Sequence, residues 1–138
     1  MASITCDIVT PVKKLFGEDC YMVVVPGVEG NMGFLPGHAQ LMSTLADGVV
    51  RVYSDANTVS STYALQGGYV QVTGEKVIVL ADRAVPVESI DLEAVRAQIA
   101  ETEEAIKAET DEAAKALAEA DLAWYKVQEH AASGNVAA

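Results

Sequence analysis

The segment VPGVEGNMG at residues 25–33 spaces glycines at 27, 30 and 33. Such spacing can turn backbone N–H groups toward a phosphate. That chemistry also needs a following helix start and usually a lysine. Here the chain runs on into Pro36-Gly37, and no Lys or Arg stands between Lys14 and Arg51. The glycines therefore read as tight turns that expose backbone to a partner. His38, in FLPGHAQL at 34–41, follows a Pro-Gly turn. A general base needs a nucleophile and a partner acid in reach, and no nucleophile motif is present. His130 lies far along the chain, so His38 reads as structural or as an interface residue. Two His and two Cys, widely separated, match no metal-ligand spacing. Cys6 and Cys20 fall in strand-like runs and read as small buried apolar side chains. The expectation is no catalytic, cofactor-binding or metal-binding residue.

Composition narrows the classes further. The chain has 138 residues, 51% hydrophobic, with net charge −11. That suits one domain, or a small domain with an appendage, and supplies enough apolar side chains for a core. Nine Lys+Arg against 20 Asp+Glu argues against nucleic acid as a partner and against an anionic membrane surface. No apolar run approaches the roughly 20 residues of a membrane span. The N-terminus lacks the basic-then-apolar pattern of a secretory signal, which predicts a chain kept in the cytoplasm with no direct membrane insertion.

Two different materials meet near residue 87. Residues 1–87 hold all four prolines and nine of the ten glycines, with charge −3. Residues 88–138 hold no proline, one glycine, 15 alanines and charge −8. The first part alternates with a period near two. Ile4, Cys6 and Ile8 interleave with Thr5 and Asp7, and apolar or alternating runs occupy 49–53, 58–65, 69–72 and 77–80. Turn residues such as Asp47-Gly48, Gly67-Gly68 and Thr73-Gly74 separate them. Many short strands at this spacing predict an antiparallel all-β sandwich or barrel.

The second part switches to helical period. Leu92, Val95, Ile99, Thr102 and Ile106 form one stripe; Ala113, Leu117, Ala120, Trp124 and Val127 form another. Asp91 and Thr110 suit N-caps, and Ser133-Gly134 suits a stop. About four linking residues predict an antiparallel two-helix hairpin. The pairs Glu103–Lys107 and Asp111–Lys115 stand at i,i+4. The stripes are narrow and Ala-rich, which predicts a weakly held hairpin that could dock, detach or extend. Leu92, Val95, Ile99, Leu117 and Trp124 are the candidates for hairpin packing or for anchoring a partner. For Trp124 both readings stay open, because two helices alone cannot bury a Trp fully. Glu101, Glu103, Glu104, Glu109, Asp111 and Glu112 cluster near the hairpin tip and would repel acidic partners.

IVTPVKKLF (8–16), VPGVEGNMGFLPGHAQL (25–41), ALQGGYVQV (64–72) and VIVLADRAV (77–85), followed by an Ala-rich helical pair, resemble the epsilon-subunit family of bacterial F-type ATP synthases. The resemblance implies a sandwich of about ten strands over 1–87 that binds the rotor. It implies a C-terminal helical hairpin of regulatory type over 88–138. It also implies a non-catalytic central-stalk subunit, peripheral on the cytoplasmic face of the bacterial inner membrane. Its partners are then the gamma subunit and the c-ring, with the beta subunit as a contact of the C-terminal helices. The family's loop facing the c-ring carries over onto Glu29, Gly30, Asn31, Met32 and His38; several relatives have a carboxylate where Asn31 stands.

Two departures matter. Relatives that inhibit hydrolysis through this hairpin commonly use basic residues, and here Arg96, Lys107, Lys115 and Lys126 face 12 acids. Weak inhibition or none is the expectation. Relatives that bind ATP carry Ile/Leu-Asp-x-x-Arg-Ala, whereas after Ile90-Asp91 the Arg-Ala pair falls at 96–97, two residues late. Two residues turn a helix by about 200°. An ATP-responsive subunit whose helices switch between folded and extended states is the alternative reading.

Overall fold

The computed structural model describes residues 3–37 and 40–133. His38, Gly134 and the rest of the C-terminal stop lie outside the described residues. Ten strands form two five-stranded sheets, and two helices follow them. The first sheet is ordered β2 (Lys14–Cys20), β1 (Ile4–Val9), β9 (Lys76–Leu80), β8 (Tyr69–Thr73), β5 (Leu41–Thr44). The second is ordered β10 (Arg83–Pro86), β7 (Thr58–Gln66), β6 (Gly48–Asp55), β3 (Met22–Gly27), β4 (Gly30–Phe34). Pairing is antiparallel except between β1 and β9, where Cys6 lies beside Val77 and Ile8 beside Val79.

The period-two alternation decides which side chains meet between the sheets. Ile4, Cys6, Ile8, Val70, Val72, Val77 and Val79 come from the first sheet; Val23, Val25, Val50, Val52, Leu65 and Phe34 come from the second. All are buried. β-branched residues dominate because they pack well on a pleated surface and lose little freedom there. Cys6 and Cys20 are free thiols inside this core, as small apolar residues would be. The Cys20 thiol reaches the Ile4 carbonyl at 3.5 Å. A hydrogen bond donated to Cys20, together with burial, pushes the Cys6 thiol well up from its ordinary range.

A 3₁₀ turn at Val87–Ser89 leads from the last strand to α1 (Leu92–Ala108) and α2 (Glu112–Ser133). The Asp91 side chain accepts a hydrogen bond from the Ala94 N–H and caps α1, as expected. The second cap is displaced by one residue from the expected Thr110. Asp111 accepts from the Ala114 N–H at 3.0 Å, while Glu109 takes the Thr110 and Asp111 N–H groups. Asp wins here because its carboxylate also meets the positive end of the helix dipole. Lys107 pairs with Glu104 at i,i+3 rather than with Glu103.

The α1 stripe behaves as read. Val95 is buried, and Leu92, Ile99, Thr102 and Ile106 are half-buried. The α2 stripe does not pack as one seam. Arg96 on α1 binds Glu129 at 3.2 Å, so the face of α2 toward α1 is the one bearing Glu129, Tyr125, Leu122, Ala118 and Ala114. The expected stripe instead turns toward the sandwich. Trp124, Val127 and Ala131 pack with Val49, Ala64, Val85, Val87 and Ile90. Gln66, at the end of β7, donates to the Ala120 carbonyl at 2.9 Å. N-terminal to that point the stripe has no sheet beneath it, and Leu117 is 70% exposed. Leu117 is therefore no part of the hairpin packing.

Candidate protein-interaction surfaces

The tip of the β3–β4 hairpin is built by backbone first. Gly27 pairs with Gly30, which leaves Val28 and Glu29 as a two-residue loop. Gly30 has φ +128°, a conformation that side chains other than glycine's rarely adopt. Gly27 leaves room for the Met32 side chain: a Cβ there would meet the Met32 methyl at 2.7 Å. Val28, Glu29 and Asn31 are exposed, and Met32 is half-buried against the core. A groove of about 570 Å³ runs from this tip to Met42, Ser43 and Thr44 on β5. The structure thus brings Glu29, Gly30, Asn31 and Met32 together at one end of the sandwich; His38 lies outside the described residues.

A second surface is one that the sequence reading did not single out. On the outer face of the first sheet Val9, Leu80 and Tyr69 stand in register across three strands with Ile78 beside them, while Met42 lies beyond Gln71 on β5. Tyr69 is 51% and Met42 64% exposed. The helices lie on the other sheet, against β6 and β7. A solvated outer face should alternate polar residues with the core-facing ones, and this one carries an apolar patch of Val9, Leu80, Tyr69 and Ile78 bordered by Asp7, Gln71 and Thr44. A charged cluster borders it across β2, β1 and β9. Asp7, with its side chain 12% exposed, holds Lys14 at 3.2 Å and Lys76 at 3.1 Å. Burial pushes the Asp7 carboxyl up, but the two ammonium groups outweigh it and hold it below the usual carboxylate range.

The helical candidates are placed as follows. Leu92, Val95 and Ile99 line α1 on its packed face, and Trp124 is half-buried against the sandwich. Arg96 is engaged by Glu129, and Asp91 by its capping bond. The two residues of the shifted Asp–Arg pair are thus both occupied within the hairpin. Among the described residues no three His, Cys, Asp or Glu side chains come together as a metal site. Among the described residues no helix is long and apolar enough to cross a membrane.

A sandwich with two open apolar or backbone-rich surfaces and a docked hairpin is a scaffold for partners. The profile of the family described as "ATP synthase, Delta/Epsilon chain, beta-sandwich domain" matches residues 3–87. The chain belongs to the ATP synthase epsilon-chain family. The epsilon chain of Rhodospirillum rubrum is 40% identical over 127 residues, covering 87% of this chain and 94% of that one. The epsilon chain of Myxococcus xanthus is 37% identical and covers 83% of each. Among solved structures, a chain of the Euglena gracilis mitochondrial ATP synthase OSCP/F1/c-ring assembly superposes with TM-score 0.76 at 27% identity. It covers 95% of this chain and 82% of that one. As an epsilon chain, the protein is a non-catalytic stalk subunit of the complex.

Proposed function

We propose that this epsilon chain is a rotor clamp: a stiff sandwich that fastens the gamma subunit to the c-ring, so that proton-driven rotation reaches the catalytic head. The observation that carries this reading is the pair of open surfaces on one rigid block. The β3–β4 tip, with Glu29, Gly30, Asn31 and Met32, offers exposed backbone and one carboxylate to the ring. The apolar patch of Val9, Leu80, Tyr69 and Ile78, with exposed Met42 beyond Gln71, offers a face to gamma. Rigidity follows from two sheets locked through one dry core, because torque must cross the block without shearing it. On this reading the chain sits peripherally on the cytoplasmic face of the inner membrane, through its partners. The hairpin over 88–138, with its excess of acids, inhibits ATP hydrolysis weakly or not at all.

The test is co-purification with gamma. A Tyr69→Asp, Met42→Asp double variant leaves the core untouched, since both side chains point outward. It is expected to keep its circular dichroism spectrum and to lose gamma binding by at least about tenfold, from burying two unpaired charges. Unchanged binding by the folded variant would refute the assignment of this face.

A further inference from the structure

A third open feature lies on the side of the sandwich away from both surfaces above. β7 is nine residues long, but β10 pairs only with its last four, Tyr63 to Gln66. At Pro86 the chain leaves the sheet through the 3₁₀ turn. Residues 59–62 of β7 therefore have β6 on one side and, among the described residues, no strand on the other. A groove follows this stretch, floored by residues 59–62 and closed at one end by Pro86 and Glu88.

Open edges are normally blunted with charge or proline, because every second residue presents an unpaired N–H and C=O. The β2 edge follows that rule with Lys14, Glu18 and Asp19, and β10 ends in Pro86. Residues 59–62 read Val-Ser-Ser-Thr, with neither. The bulge at Ser60 does not fill the groove, since its hydroxyl donates to the Val52 carbonyl on the β6 side. Glu88, which is exposed, is the one charged side chain among the residues lining the groove.

We infer that this slot accepts an extended segment of a partner polypeptide as an added strand, in line with β10 and antiparallel to β7, with a basic side chain near the segment's amino end facing Glu88. Backbone pairing along residues 59–62 supplies the binding and the Glu88 contact sets direction. The four-residue length of the slot limits the guest to about two turns of the ladder's repeat, which suits a segment held also by contacts elsewhere.

The probe is the pentapeptide acetyl-Arg-Val-Thr-Val-Thr-amide, titrated into the full chain and followed by amide chemical shifts. Saturable shifts at residues 59–62 and at Glu88 are expected. Methylating alternate backbone nitrogens of the peptide should abolish them. Replacing its Arg by Glu should weaken binding by about threefold, and the exposed Glu88→Lys variant should reverse that preference. No saturable shift at residues 59–62, equal binding of the methylated peptide, or indifference to the charge exchange would each overturn the inference.

Discussion

Gly68 occupies a position where no other residue fits. Its φ is +106°, and a Cβ there would run into the Leu80 carbonyl oxygen and stand 2.8 Å from the Ala81 Cα. Both obstacles are backbone of the neighbouring strand segment, so neither can rotate away. Gly68→Ala should destabilise the sandwich by about 2–4 kcal/mol, combining strained φ with a forced backbone shift; thermal unfolding checks it. Gly30 also has a positive φ but open space around its Cβ position, so Gly30→Ala should cost only about 1 kcal/mol of conformational strain. Asp7 gives a pH prediction. Its folded carboxyl titrates below the unfolded value near 3.9, so its contribution is present above that value. It is lost as pH falls through the lower, folded value. Asp7→Asn should therefore lower stability at pH 7 by about 1–2 kcal/mol and leave it unchanged in strong acid, where the wild-type carboxyl is already neutral. Denaturant melts at both pH values would show the difference; an equal loss at both would refute the ion-pair explanation.

At the scale of elements, what could be read depended on how many neighbours each element serves. α1 packs mainly on α2, so its apolar stripe appeared as a single set, from Leu92 to Ile106. α2 lies between α1 and the sandwich and needs two faces, and Ala-rich sequence blurs where one ends. The stripe through Leu117 and Trp124 belonged to the sandwich face, and its first half overhangs the sheet. Central strands such as β8 and β9 showed as apolar runs. The β2 edge, KLFGEDC, is mostly exposed and shows little alternation, so only its Cys20 end read as strand. The apolar patch on the first sheet's outer face was hidden for a related reason. VIVL at 77–80 is apolar on both faces, and nothing local says that one face lies open. The hairpin's hold on the sandwich is small: one apolar cluster, the Gln66–Ala120 bond, and an Arg83–Asp121 ion pair at 2.8 Å that is about two-fifths exposed on each side. Trp124 is the only Trp and reports on this contact. Val127→Asp should release the hairpin and red-shift Trp124 emission while the sandwich stays folded. Arg83→Ala should shift docking by under about 1 kcal/mol, because exposed pairs contribute little.

The molecule as a whole divides labour between a stiff block and a loosely fixed appendage. The sandwich has one continuous core across both sheets. The hairpin adds acids near its tip and only four basic residues over 88–138. A hairpin so short of bases should bind an acidic surface weakly, so on the proposed reading removing residues 88–138 should raise ATP hydrolysis by less than about twofold. On the proposed reading the sandwich carries the coupling, through surfaces on two sides of a single core. The most direct test is proton-driven ATP synthesis in membranes assembled with and without this subunit, at equal proton-motive force. The account predicts that synthesis falls steeply without it and returns on adding back residues 1–87. Undiminished synthesis in membranes that lack the whole chain would contradict it.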